Sequence, residues 1–454
     1  MAKTVLYFGT GTDRMIADHT GVGVSRYIQG AVHPENEHEL YRKGIRSNKI
    51  LILRNQGILY SFLLRDGRIY KAVREEEEEF PIGTILLGKV TNVAKQFQGA
   101  FFSLEPVKGQ KGRTGFLQMK EKADYRPVNR TADGRILNGD EMPVQVIKQA
   151  KGTKPPQLTM EYSLAGQFVV IKRGSGRVTY SAKLGEEEKR RLGEAFERWR
   201  DGLSAKESET ADLFRKWDIT FRTNAPFAEQ EMWKKEVIDL ISQLNSIDQL
   251  SQTRTVYSRL YEPEAFYLDF IKEQPISDLE EIVTDERDVF EVLKEHPYTS
   301  LMPVRFYEDD RISLRSVYAL NTRLQELLGK KVHMKSGAYL MIEPTEALVA
   351  IDVNTGKAEK KTEPEEFYLR ANLEAAKEVC YQLSARNLSG MILVDFINMR
   401  DKEHVKELIK ALKQETAKDS VPTRFVDLTR LGLAEITRKK TSRTLQYTLR
   451  EWKV

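Results

Sequence analysis

Apolar positions along the chain keep two different rhythms, and the changes between them mark out its organisation. From Asn48 onward, KILILRNQGILYSFLLRDGRIYKAV gives apolar runs broken at Gln56-Gly57 and Asp66-Gly67. Asp-Gly between apolar runs is a strong hairpin signal, so consecutive antiparallel strands are predicted here. Beyond the acidic run Glu75 to Glu79, Pro81-Ile82-Gly83 opens a second strand-rich block: TILLGKVTNVAK, GAFFSLE, GRTGFLQM, MPVQVIKQA and PQLTMEYSL. Short strands at this spacing suggest a small antiparallel barrel. From residue 162 to about 265, strands (QFVVIKR, WDITFRT) mix with helices (GEEEKRRLGEAFERWRDGL, AEQEMWKKEVIDLISQLNSI).

The last block alternates again: GAYLMIEP, EALVAIDVN, a long helix, GMILVDFINM and a second helix. Leu369, Leu373, Ala376, Cys380 and Leu383 form one helical stripe, and Val405, Leu408, Ile409 and Leu412 another. Helices of this kind between apolar strands predict an α/β layer with a mostly buried sheet. Residues 1–46 lack periodicity and read as a loosely ordered or separately packed extension. Gly9-Thr10-Gly11 lacks the rest of a phosphate-loop fingerprint, and nothing downstream supports a dehydrogenase or nucleotide-binding reading.

Composition narrows the class. A chain of 454 residues exceeds one compact core, so two to four structural units are expected. No run approaches the roughly 18 apolar residues of a membrane span, and the N-terminal apolar run is too short for a secretory signal. The single cysteine, Cys380, permits no internal disulfide and no cysteine-rich zinc site, which fits a cytoplasmic protein. The net charge is only +5, from 72 basic and 67 acidic residues, so the distribution of charge matters more than its sum. From Arg430 the C-terminal stretch carries Arg438, Lys439, Lys440, Arg443, Arg450 and Lys453 against Glu435 and Glu451. A solvated surface and a nucleic-acid contact both fit that run.

Two apolar strands of the last block run straight into an acid. Leu348-Val349-Ala350-Ile351 leads to Asp352-Val353-Asn354, and Met391-Ile392-Leu393-Val394 leads to Asp395. A carboxylate ending a buried strand is costly unless it is paired or binds a metal. Such strand ends are also where ligand crevices of open α/β sheets form. Asp352 and Asn354, two apart on a strand, project to the same face. Hard oxygen donors of this kind suit Mg²⁺ with several waters retained, and a metal there can activate water against a phosphoryl group. The alternative is that each acid caps the following helix or pairs with a nearby base. Periodicity leaves both readings open.

Here the sequence resembles a known family. TEAL, the Asp352-x-Asn354-Thr355 segment, NLEAA and the Asp395-Phe396-Ile397-x-Met399 strand, in this order and separation, resemble the catalytic region of the ribonuclease E/ribonuclease G family. The resemblance runs from about Asn48 to Arg443 and does not cover residues 1–46. It implies an RNase H-like scaffold (48–80 and 260–327) split by an S1-type OB barrel (83–161) and a 5′-sensor region (162–259). A DNase I-like α/β catalytic domain (328–450) follows. Asp352 and Asp395 are implied to hold a catalytic Mg²⁺, with Mn²⁺ as an acceptable substitute, while Asn354 orients the attacking water or the phosphate. Phe101 and Phe116 are implied to stack unpaired bases, and Lys154 to lie near the scissile phosphate. Arg222 and Thr223 match the motif that grips a 5′-monophosphate, with Gly166 and Val170 lining that pocket. A guanidinium fork and a hydroxyl suit a phosphate monoester.

Three positions depart from the family pattern. Its zinc-linking cysteine motif has no counterpart, so no structural zinc is expected and any homo-oligomer is expected to form without it. The second acid of the usual Asp-Phe-Ile-Asp-Met is Asn398, and the sensor's Ser-Arg-Arg is Ser181-Ala182-Lys183. The reading is therefore a short, ribonuclease G-like endoribonuclease. It is expected to cut single-stranded mRNA and rRNA precursors, leaving 5′-phosphate and 3′-hydroxyl ends. The competing reading is a non-catalytic RNA-binding protein on a nuclease-like fold.

Overall fold

The computed structural model of the chain describes residues 5–7, 48–106, 113–119, 125–150, 153–204, 214–356 and 364–453. Gly9-Thr10-Gly11 and nearly all of the 1–46 stretch lie outside the described residues. Two compact units emerge: Met1–Glu75 with Asp278–Val454, and Glu76–Ser277.

The first unit contains two six-stranded sheets. In one, the order is Val5–Tyr7, Val304–Phe306, Glu281–Thr284, Asn48–Asn55, Ile58–Arg65, Arg68–Arg74. The two hairpins appear as predicted, because both central residues of each turn take positive φ: 55° and 81° at Gln56-Gly57, 48° and 74° at Asp66-Gly67. That backbone matches the right-handed twist of the flanking strands. Val5–Tyr7, from the stretch predicted to pack apart, instead pairs antiparallel with Val304–Phe306 at the sheet edge.

The other sheet runs Lys331–His333, Tyr339–Pro344, Leu348–Asn354, Gly390–Asp395, Leu433–Arg438, Thr423–Leu428. Its one parallel pair is the two acid-bearing strands, in register from Leu348 opposite Met391 to Asp352 opposite Asp395. Helices Pro364–Ala385 and Lys402–Ala417 pack with one face of this sheet, burying Val349, Ile351, Ile392, Val394 and Ile436. The opposite face carries Ala350, Asp352, Leu393 and Asp395, none of them buried. Of this sheet, predicted to be mostly buried, the helices cover one face, and the residues named on the other face are not buried. Ala350 and Leu393 belong to the open face, so the apolar runs do not distinguish the two sides.

Helix Pro364–Ala385 buries Phe367, Ala371, Ala375, Ala376, Val379 and Leu383. The predicted stripe is rotated: Leu369, Leu373 and Cys380 are only half-buried, because alanines rather than leucines meet the sheet. Burial pushes the Cys380 thiol up to about 12. One polar side chain on the buried face is fully enclosed. Asn372 Nδ2 donates to the Ile397 carbonyl at 2.8 Å, and its Oδ1 accepts the Ile397 N–H at 3.0 Å. The residues just beyond Asp395 are thereby fixed to the helix that precedes its strand.

In the second unit, strands Ile85–Ala94, Gly99–Ser103, Thr114–Gln118, Gln157–Thr159 and Glu141–Lys148 close into a barrel through pairing of the first with the last. It is not wholly antiparallel: Thr114–Gln118 and Gln157–Thr159 run parallel. Strand directions cannot alternate all the way round a closed ring of odd number, so one parallel joint is unavoidable. Arg259–Tyr261 adds to the barrel sheet beside Ile85–Ala94, and the remaining strands of the unit form a four-stranded sheet, Ser163–Ala165, Val169–Arg173, Trp217–Phe221, Val178–Tyr180. Helices Glu186–Ser204 and Gln230–Thr253 pack on it around Phe196, Trp217, Phe221 and Trp233.

Asn372→Leu leaves the Ile397 N–H and carbonyl without their partner, at about 1–3 kcal/mol for each unsatisfied group. Asn372→Asp keeps the acceptor but sets a buried, unpaired carboxylate against the Ile397 carbonyl, so at neutral pH its destabilisation is at least as large. Urea unfolding of both variants checks this, and equal stability of Asn372→Leu and wild type would rule out the clamp.

Candidate functional site

The parallel register brings the two predicted acids together. Asp352 and Asp395 are direct partners on neighbouring strands, whose spacing is about 4.8 Å. Both side chains are exposed on the uncovered face of the sheet. The Asn354 Nδ2 donates to Asp352 Oδ2 at 2.7 Å, holding that carboxylate in one orientation. Neither acid caps a helix among the described residues: Asp401 caps Lys402–Ala417, accepting the Glu403 N–H at 2.8 Å. Nor does any Lys or Arg among the described residues pair with Asp352 or Asp395. Among the described residues, then, neither acid is taken up by a helix cap or by a cation.

No third His, Cys, Asp or Glu joins the pair among the described residues. Two carboxylates and an amide carbonyl are a sparse set of hard oxygen donors. Such a set fits an ion that keeps most of its waters and exchanges some for phosphate oxygens, as Mg²⁺ does. Asn398, in place of the family's acid, is exposed and faces the turn at Gly432.

The surroundings of the acids are fixed by backbone contacts that periodicity does not reveal. Glu365 Oε1 accepts the N–H of Arg400 at 2.6 Å and of Asp401 at 2.9 Å. Glu374 accepts the N–H groups of Lys335 and Ser336. Gly356, just past Asn354, has φ of 62°, and a Cβ there would lie 2.2 Å from the Gly337 carbonyl oxygen. With Asn372, helix Pro364–Ala385 thus holds the segments on both sides of the acid pair.

On the barrel, Phe101 and Phe116 are register partners with ring centroids 5.2 Å apart. Both are half-exposed on the outer surface, whereas neighbouring Phe102 is fully buried, so the core alternative does not apply to them. Phe116 lies over Gly99, where a Cβ would stand 2.2 Å from the ring. Sequence reasoning missed Phe97, which is 60% exposed on the turn joining Ile85–Ala94 to Gly99–Ser103. An aromatic in KQFQ reads as an ordinary loop residue, and only its exposure marks it. Lys154 is exposed, three residues ahead of Gln157, the register partner of Phe116.

On the four-stranded sheet the remaining predicted residues gather at one end. Val170 and Thr220 are register partners, and Arg222 continues their side of the strand by alternation. The Arg222 main-chain N–H donates to the Phe168 carbonyl at 2.7 Å, and its Nη1 donates to the Gly166 carbonyl. Thr223 follows in a turn anchored by buried Asn224, whose Nδ2 donates to Gln274 O at 2.9 Å. Ser181 N–H bonds Phe221 O, which brings the altered Ser181-Ala182-Lys183 segment to the same end. The space at Gly166 is filled from within: a Cβ there would lie 2.2 Å from the Glu236 carboxyl carbon. Of the C-terminal basic run, Arg438 is interior, bonded to Asp419 and to the Leu388 carbonyl, while Lys439 and Lys440 are exposed.

Comparison with known proteins bears on these arrangements. The sequence profile of the Ribonuclease E/G family matches residues 163–441. Ribonuclease G of Haemophilus influenzae is 30% identical over 383 residues, covering 81% of this chain and 74% of that protein. Ribonuclease G of Escherichia coli is 26% identical, covering 85% and 78%. Ribonuclease E of Nostoc sp. is 28% identical across 79% of this chain, which spans only 51% of that longer protein. A profile match over more than half of the sequence, and a relative at 30% identity, show that the chain belongs to the ribonuclease E/G family, a family of endoribonucleases.

Proposed function

We propose that this chain is a Mg²⁺-dependent endoribonuclease that hydrolyses single-stranded RNA at the Asp352–Asp395 pair and favours substrates with a 5′-monophosphate. The observation that carries this is the in-register pairing of two exposed carboxylates with no cation partner among the described residues, one of them oriented by Asn354. Like charges side by side are unfavourable unless a cation joins them. A divalent ion there would lower the pKa of its bound water and stabilise charge building on the phosphoryl oxygens.

The chain's own residues supply the rest. Asp352 and Asp395 provide the ligands, and Asn354 fixes Asp352 while its carbonyl oxygen remains for water or substrate. Attack of water on phosphorus with departure of the 3′-oxygen leaves a 3′-hydroxyl and a 5′-phosphate. Phe101 and Phe116 offer ring faces on which successive unpaired bases stack. Lys154 contributes a positive charge toward the phosphate being cut. Arg222 and Thr223 take the 5′-terminal phosphate, with Val170 and Gly166 shaping the pocket. Substrates of this kind are mRNA and rRNA precursors in the cytoplasm. No helix among the described residues is long and apolar enough to cross a membrane.

One labelled single-stranded RNA, prepared with a 5′-monophosphate or a 5′-hydroxyl, tests the reading. Cleavage is expected with Mg²⁺, none with EDTA, and a loss of at least about a hundredfold in Asp352→Asn and Asp395→Asn. Undiminished cutting by those variants would sink the catalytic assignment and leave the RNA-binding alternative. Equal rates on both RNAs would remove the end preference only. Phe116→Ala is expected to weaken RNA binding by about 1–3 kcal/mol, measured by fluorescence anisotropy on catalytically dead protein.

A further inference from the structure

Glu236 lies on helix Gln230–Thr253 and is only 8% exposed, yet it has no salt bridge among the described residues. Its carboxylate instead accepts three consecutive backbone N–H groups: Gln167 at 2.6 Å on Oε1, Phe168 at 2.8 Å and Val169 at 2.9 Å on Oε2. Consecutive N–H groups converging on one anion form a nest of the kind that elsewhere receives phosphate. Here the nest is already filled by a side chain of the same chain. Burial pushes the Glu236 carboxyl above its ordinary value, against the pull of the three donors and of the Arg222 charge.

Two neighbours are shaped by this carboxylate. Position 166 has no room for a Cβ, which would sit 2.2 Å from the Glu236 carboxyl carbon and 2.3 Å from Oε1. The missing Cβ of Gly166 therefore makes room for Glu236. The carbonyl of Gly166 in turn receives Arg222 Nη1, and the Phe168 carbonyl receives the Arg222 main-chain N–H. The remaining donors of Arg222, Nε and Nη2, have no partner among the described residues.

We propose that Glu236 is the positioning residue of the 5′-phosphate pocket. It ties residues 166–169 into the turn that holds the Arg222 guanidinium by one nitrogen and leaves its other donors for the terminal phosphate. The nest itself takes no part in binding substrate. This rests on the end-sensing reading above, and it adds a residue that never touches RNA but on which the sensing depends. A neutral amide cannot replace the carboxylate, because it offers one acceptor oxygen to three donors and turns its own NH₂ toward the others.

The readout is the ratio of kcat/KM on 5′-monophosphorylated to 5′-hydroxyl RNA, with Mg²⁺ and the full chain. The wild type is expected to show a ratio of about tenfold or more, the scale of one charge-assisted hydrogen bond. Arg222→Gln, Glu236→Gln and Gly166→Ala are each expected to bring it within about twofold of unity, and Glu236→Gln combined with Arg222→Gln lowers it no further. Shortening the acid should restore space, so Gly166→Ala with Glu236→Asp recovers part of the ratio lost in Gly166→Ala alone. Loss through unfolding would not be rescued in this way. A wild-type ratio in Glu236→Gln, alongside its loss in Arg222→Gln, overturns the proposal and spares the end-sensing reading. A ratio unaffected by Arg222→Gln overturns both. If Glu236→Gln does not fold, as judged by thermal melting, failure of the double variant to recover overturns the proposal.

Discussion

Parallel pairing of Leu348–Asn354 with Gly390–Asp395 is the constraint from which the candidate active site follows. Strands that run the same way must be joined by a crossover, and helix Pro364–Ala385 lies between them in the sequence. Because the strands are in register, the acid near the end of one stands beside the acid ending the other. A slip of one residue would send one of the two side chains to the helix-covered face. The same helix then secures the edge where the acids sit: Asn372 holds Ile397, Glu365 holds Arg400 and Asp401, and Glu374 holds Lys335 and Ser336. Connection, core and site support are thus one element.

The second unit uses buried carboxylates for a different purpose. Glu236 organises the 166–169 turn, and Asp218, 3% exposed, accepts the N–H groups of Ser175 and Arg177 in the next turn. In both cases a glycine, Gly166 or Gly174, has no Cβ because the carboxylate occupies that space. Acids enclosed by backbone donors fix loop shape, Glu236 with no salt bridge among the described residues and Asp218 with Arg177 Nη2 also donating to it at 3.3 Å. Exposed acids with no backbone donor among the described residues, as at Asp352 beside its Asn354 amide and at Asp395, leave oxygens open to solvent. Which kind of site an acid makes is decided by what surrounds it, not by residue type.

Much of this was legible in the sequence and some was not, for identifiable reasons. Hairpins at Gln56-Gly57 and Asp66-Gly67 are local, set by two residues each, and appear where predicted. Asp352 and Asp395 stood out because an acid ends an apolar run. The open face of their sheet stayed hidden, since Ala350 and Leu393 look like core on either side. Glu236 sits in KKEVIDL, where a charged residue reads as solvated surface; its burial depends on a turn some 70 positions earlier in the chain. The parallel joint of the barrel follows from strand count and closure, neither of which a run of alternating residues records.

Binding of metal in the absence of RNA probes the central claim most directly. Mn²⁺ titrated into the full chain and followed by electron paramagnetic resonance should reveal a bound ion. Its affinity should fall at least about tenfold in both Asp352→Asn and Asp395→Asn while the fold, checked by circular dichroism, is retained. Mn²⁺ binding that is the same in wild type and in both variants would contradict the assignment of these two carboxylates as the metal site.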